Sequence, residues 1–137
     1  MELFVTYKKG VTSANLVDDD SYIIFSKVEK GISQDERDKS KLRLIKAGVL
    51  ASETLAYGKP LKIALKGEYI RRWITGISDT LPDEFFEEIA EVVKALDNFS
   101  GVWEVEHRSY LPHQVVEQEE KVGNVMELMK GLVEDEE

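Results

Sequence analysis

The spacing of hydrophobic and polar residues changes several times along the chain, and each change marks an element. Residues 1–7, MELFVTY, alternate and are rich in β-branched and aromatic side chains, which predicts a half-buried strand. KKG then turns the chain, and TSANLV reads as a second short strand. Asp18, Asp19 and Asp20 predict a turn, because an aspartate carboxylate hydrogen-bonds its own backbone. SYIIFSKVEKG is a third strand ending at Gly31. Three short strands joined by tight turns predict an antiparallel meander.

The period then lengthens. SQDERDKSKLRLIKAGVLASETLAYG predicts a long helix with Leu42, Ile45, Val49, Ser52 and Ala56 on one face and Leu55 beside it. Ser33 followed by Glu36 has the spacing of a capping box, and Asp35, Glu36 and Asp38 suit the positive end of the helix dipole. Gly58 is the expected stop. Gly48 costs ~1 kcal/mol relative to alanine in mid-helix, which points to close packing on the sheet. Leu61–Leu65 is a fourth strand, after which Tyr69, Ile70, Trp73 and Ile74 show helical spacing up to Gly76. LPDEFFEEIAEVVKAL predicts another helix, with Pro82 in its first turn and Phe85, Ile89, Val92, Val93 and Leu96 on its stripe. GVWEVEH is a fifth strand, its register set by Val102, Val105 and His107. Pro112 is expected to open a last helix whose face carries Val115, Val122, Met126, Met129 and Val133.

The order β-β-β-α-β-α-α-β-α predicts an α/β domain, a mixed five-stranded sheet with helices on its faces, spanning residues 1–134. Residues 135–137 belong to a frayed acidic tail. No apolar run approaches the ~20 residues that span a bilayer, and the first ten residues read as a strand rather than a secretory leader. The chain has no cysteine. That removes disulfides, thiolate metal sites and a cysteine nucleophile, and it suits the cytoplasm. Abundant charge with few Asn and Gln is a thermophile-like mixture. The net charge of −9 disfavours general nucleic-acid binding. It is unevenly spread, though. Residues 1–76 hold fourteen Lys and Arg against ten Asp and Glu, and residues 77–137 hold four against seventeen.

This order resembles the ribonuclease H fold over nearly the whole chain. KLRLIKAGVLASETL is similar to the family's first long helix. LKIALKGEYIRRWITG resembles its fourth strand and following helix, and VWEVEH with the acidic segment after it resembles its last strand and terminal helix. The resemblance implies two-metal phosphodiester hydrolysis by four carboxylates. On this chain those positions fall at Tyr7, near Leu44, at Lys66 and at Glu117, the last ten residues after His107, which stands for the family's loop histidine. Only Glu117 is acidic. The resemblance therefore implies a catalytically degenerate member, with Glu68, Glu117 or Glu119 as candidate partners for Lys66.

The other candidate chemistry is a set of cations and aromatics. Lys8, Lys9, Lys62, Lys66, Arg71 and Arg72, with Trp73 and Tyr69, could hold phosphates and stack bases. The bland reading makes the lysines solvated strand ends and Trp73 core. His107 and His113 are two ligands short of a metal site, so no metal and no cofactor is expected. No glycine-rich phosphate loop occurs. Val125, Leu128 and Leu132 widen the apolar face of the last predicted helix, which suggests a dimer or a protein partner. Three functions remain on this reading. The first is a non-catalytic binding or assembly module working through an unknown protein partner or self-association. The second is a pseudonuclease holding nucleic acid on a basic strand-end face. The third is a nuclease with acids rearranged among Glu68, Glu106 and Asp18, Asp19 and Asp20.

Overall fold

The alternating pattern of the first thirty residues forms three antiparallel strands, β1 (Glu2–Lys8), β2 (Val11–Val17) and β3 (Ile23–Glu29). The computed structural model describes residues 1–116 and the backbone of Leu132–Glu134. Lys9 and Gly10 connect β1 to β2 with φ of 48° and 79°, the backbone hand that matches strand twist in a two-residue hairpin. At the next turn the Asp18 carboxylate accepts the backbone N–H groups of Asp20 and Tyr22 at 3.0 and 2.9 Å. The expected turn chemistry is therefore what this aspartate does.

A 3₁₀ turn (Gln34–Glu36) leads into α1 (Arg37–Leu55). The expected capping box does not form. The Ser33 side chain makes no capping bond, and the Glu36 N–H is taken by the Ser33 carbonyl at 3.0 Å, the bond that closes the 3₁₀ turn. α1 crosses the sheet with Leu42, Leu44, Ile45, Gly48, Val49 and Ser52 buried. A Cβ on Gly48 would stand 2.4 Å from a Leu3 methyl, so the glycine lets the helix backbone settle against β1.

β4 (Leu61–Leu65) pairs parallel with β1, Leu3 opposite Ile63, and β5 (Trp103–His107) pairs parallel with β4, Ile63 opposite Val105. The sheet order is β3-β2-β1-β4-β5. α2 (Glu68–Thr75) follows β4 directly and stops at Gly76, which takes a left-handed φ of 78°. A 3₁₀ turn (Asp83–Phe85) precedes α3 (Phe86–Asp97). Leu3, Val5, Ile45, Ile63, Ile70 and Ile89 belong to one apolar core between the sheet and the helices. Phe4, Val17, Ile23 and Ala64 cluster with Leu111 on the opposite face.

Two expectations fail near the end of the described chain. Val102 precedes β5 and is 72% exposed, so Val105, with the half-buried Trp103, anchors the strand in the core. Pro112 does not open a helix. It ends a short strand, β6 (Tyr110–Pro112), which pairs antiparallel with β7 (Leu132–Glu134), placing Val133 opposite Leu111. Proline's fixed φ suits a strand end as well as a helix start, and here a partner from more distant sequence decides. Most of the expected terminal helix, with Glu117, Glu119, Val122, Val125, Met126, Leu128 and Met129, lies outside the described residues, as does the acidic tail.

Candidate functional site at the ends of the parallel strands

β1, β4 and β5 run in the same direction, so their C-terminal ends meet at one edge of the sheet, where open α/β sheets place their sites. Tyr7 is next to last in β1, Lys66 follows β4, and His107 ends β5. Tyr7 is buried, and its hydroxyl donates to the Ile32 carbonyl at 2.7 Å, which makes the ring part of the scaffold. The last rung between β1 and β4 joins Val5 to Leu65, one residue before Lys66. The Nδ1 atom of His107 accepts the Gly67 N–H at 3.0 Å and ties the end of β5 to the β4–α2 turn.

The helix residue at this edge is Lys41. Leu44, the position expected from the resemblance, is fully buried in the apolar core. Lys41 lies one turn earlier, is itself 0% exposed, and its Nζ donates to the Lys66 carbonyl at 3.0 Å. Helical spacing carries the signal: Lys41 precedes Ile45 by four and Gly48 by seven on the buried stripe. Lysine counts as polar in such a pattern, and so it is passed over. Among the described residues, no three histidine, aspartate or glutamate side chains come together as a metal site.

Of the acids considered for a rearranged site, Glu68, Glu106 and Asp18 are separated and occupied. Glu68 on α2 accepts from Arg71 Nε and Nη2 at 3.1 and 2.9 Å and from Arg72 Nε at 3.4 Å. The Arg71 hydrogen bonds hold its carboxyl below the usual carboxylate range. Glu106 on β5 receives Arg108, which also reaches Glu2 at 2.7 Å and stacks over the Phe4 ring. Asp18 serves its own turn at the far end of β2.

The basic constellation divides in the same way. Lys8 and Lys9 border the strand-end edge, and Lys9 is exposed. Lys62 sits four residues before Lys66 on β4, roughly 13 Å away along the strand, facing Glu104 and Glu106 at 3.5 and 3.9 Å. Arg71 and Arg72 are held by Glu68. Trp73 packs edge-on to Tyr69 at 5.2 Å and against Phe85 at 5.7 Å, between α2 and α3. The two histidines also part company. His107 points with Val105 toward the core face, whereas His113 Nδ1 bonds Thr6 Oγ1 on the other face.

Two polar arrangements have no counterpart in the sequence reading. On the second face Thr6 Oγ1 also meets Ser13 Oγ at 2.9 Å, Asn15 donates to the Gln114 carbonyl at 2.9 Å, and Ser26 donates to Asn15 at 2.6 Å. These bonds fasten residues 113 and 114 across the meander. At the start of α1, Arg37 donates to the Tyr69 hydroxyl at 2.8 Å and Tyr69 donates to Asp38 at 2.9 Å, joining α1 to α2. Burial and the Asp38 charge push the Tyr69 phenol up.

No family model and no curated protein matches the chain. Among solved structures it is similar to RNase H1 from the halophilic archaeon Halobacterium salinarum NRC-1, with a TM-score of 0.62, 14% identity, and 79% of this chain and 86% of that one covered. It is also similar to the N-terminal RNase H domain of a Mycobacterium tuberculosis protein, solved as a fusion with maltose-binding protein (TM-score 0.59, 9% identity, 79% and 88% covered). LC11-RNase H1, solved in complex with an RNA/DNA hybrid, gives a TM-score of 0.62 at 9% identity with 78% and 85% covered. The chain has a ribonuclease H-like fold, and at these identities the likeness is one of fold alone. Among the described residues no helix is long and apolar enough to cross a membrane.

Proposed function

We propose that this ribonuclease H-like domain is non-catalytic and works as a binding or assembly module through protein contacts. The observation that carries the reading is Lys41. A two-metal mechanism needs converging carboxylates to offset the charge of two dications. Here a buried ammonium lies against the Lys66 carbonyl at the strand ends, and the resemblance would set Tyr7 and Lys66 where that family has acids. An ammonium in that place repels a divalent ion. The test is incubation of the full chain with an RNA–DNA hybrid in Mg²⁺ or Mn²⁺. No cleavage above the protein-free control is expected. Cleavage that disappears in Glu117→Gln would overturn the reading and restore the rearranged nuclease.

Protein contacts are favoured over nucleic acid because the basic set is dispersed. Lys62, Arg71 and Arg72 are answered by carboxylates and Trp73 is turned into helix packing. The nucleic-acid reading retains Lys8, Lys9 and Lys66. Reversing the charges of Lys8, Lys9 and Arg72 should leave oligonucleotide retention at background, as in the unaltered chain. Retention by the unaltered chain that the triple variant loses would favour the nucleic-acid reading.

A further inference from the structure

One peptide group at the strand-end edge is held from both sides. The Lys66 carbonyl accepts from the buried Lys41 ammonium at 3.0 Å, and the Gly67 N–H, across the same amide bond, donates to His107 Nδ1 at 3.0 Å. That peptide group is the joint between β4 and α2, since Leu65 ends the strand and Gly67 stands directly before Glu68, the first residue of the helix. α1 thus holds the carbonyl side of the joint and β5 holds its amide side. The ammonium polarises the amide, and hydrogen bonds chained in this way strengthen one another. Beside them a backbone bond ties the two strand ends, from the Arg108 N–H to the Leu65 carbonyl at 2.9 Å.

Nδ1 of His107 accepts the Gly67 N–H only while it carries no proton, so the neutral ring keeps its hydrogen on Nε2. A proton on Nδ1 turns the acceptor into a donor aimed at another donor. His107 is exposed, so that proton arrives from solvent. The cations at this edge are Lys41 on α1, Lys8 at the end of β1, Lys66 after β4 and Arg108 beside His107 itself. The carboxylates are Glu68 at the start of α2, taken by Arg71 and Arg72, and Glu106 on β5, taken by Arg108. We propose that His107 is an acid-released latch on the Lys66–Gly67 joint, closed while the ring is neutral and opened when Nδ1 is protonated. Opening frees the amide side of the joint and with it the first turn of α2. The Arg108–Leu65 bond involves no titrating group and stays closed, so the strands remain paired while the helix start is let go.

The test is a titration of the full isotope-labelled chain by nuclear magnetic resonance from about pH 8 to about pH 5, the range in which histidine changes charge. The temperature coefficient of an amide shift tells whether its N–H is bonded. Gly67 should pass from the bonded to the solvent-exposed value with the same midpoint as the His107 ring protons, and Arg108 should keep the bonded value throughout. His107→Gln offers an acceptor oxygen that does not titrate, so its Gly67 amide should stay bonded over the whole range. His107→Ala offers no acceptor, so its Gly67 amide should be exposed already at about pH 8. Far-UV circular dichroism verifies that both variants are folded. A Gly67 amide that stays bonded while the His107 ring titrates overturns the proposal. So does a Gly67 transition that persists in His107→Gln, or a bonded Gly67 in His107→Ala. Hybrid cleavage would sink the non-catalytic reading without touching the latch. A failed titration removes the latch and leaves that reading standing.

Discussion

The Nζ of Lys41 lies 3.0 Å from the carbonyl oxygen of Lys66, which fastens the buried face of α1 to the end of β4. Lys41→Ala removes both the ammonium and its aliphatic stem from a fully buried position. The loss of unfolding free energy should be about 2–4 kcal/mol. Lys41→Met keeps the stem and should cost less, about 1–2 kcal/mol, the penalty for an unanswered polar group. Urea denaturation of the two variants separates the terms. Equal cost would mean that the ammonium contributes nothing.

Gly48→Ala tests the approach of α1 to β1. Alanine gains about 1 kcal/mol of helix propensity, yet its Cβ would lie 2.4 and 2.5 Å from the two Leu3 methyls. Leu3 is fully buried and has little room to yield. Net destabilisation of about 1–3 kcal/mol is expected. In a Gly48→Ala, Leu3→Val double mutant the two costs should be less than additive, since the smaller side chain vacates the contested space.

Glu29 joins β3 to α1, accepting from Ser40 Oγ at 2.6 Å and from Arg43 Nε and Nη2 at 3.0 and 2.7 Å. Burial pushes its carboxyl up, but the Arg43 and Ser40 hydrogen bonds outweigh burial and hold it below the ordinary carboxylate range. A carboxyl depressed by folding contributes stability that is fully present above its unfolded value, about 4.3, and is lost as pH falls through the lower folded value. Glu29→Gln should therefore be less stable than the unaltered chain at pH 7, and the two urea midpoints should converge in acid. Parallel profiles down to pH 3 would show that the carboxylate is not linked to folding.

Tyr69→Phe deletes the hydroxyl shared by Arg37 and Asp38 while leaving the ring packed on Trp73. A cost of about 1 kcal/mol is expected, read as a lower thermal midpoint with an unchanged near-ultraviolet dichroism band from the tryptophans. Loss of that band would mean that the hydroxyl positions α2 itself.

Much of the fold is legible because its elements have clean periods. The meander alternates, α1 has its stripe, and the aspartate turn bonds its own backbone. The errors share a cause, which is that local pattern carries no information on distant partners. Pro112 fits a helix start by preference, but Leu132 pairs with it. Ser33 and Glu36 have capping-box spacing, but a 3₁₀ turn uses the same N–H. Lys62 lies near the start of β4 and Lys66 follows its end, so only strand register separates them. Lys41 was hidden by residue type: polarity ranks it as surface, whereas its place four residues before Ile45 makes it interior.

The pairing scheme also implies an order of assembly. Leu16 meets Leu3 across a hairpin, whereas Ile63 reaches Leu3 only after the whole of α1 has been made. Short loops close at lower entropic cost than long ones. The meander can therefore form early and serve as the template, and the seam between β1 and β4 closes late. Pulse-labelled hydrogen exchange during refolding should protect the amide of Ala14 before that of Ile63, and simultaneous protection would refute the order. The seam that brings Lys66 to the strand-end edge is then the last part of the sheet to be made.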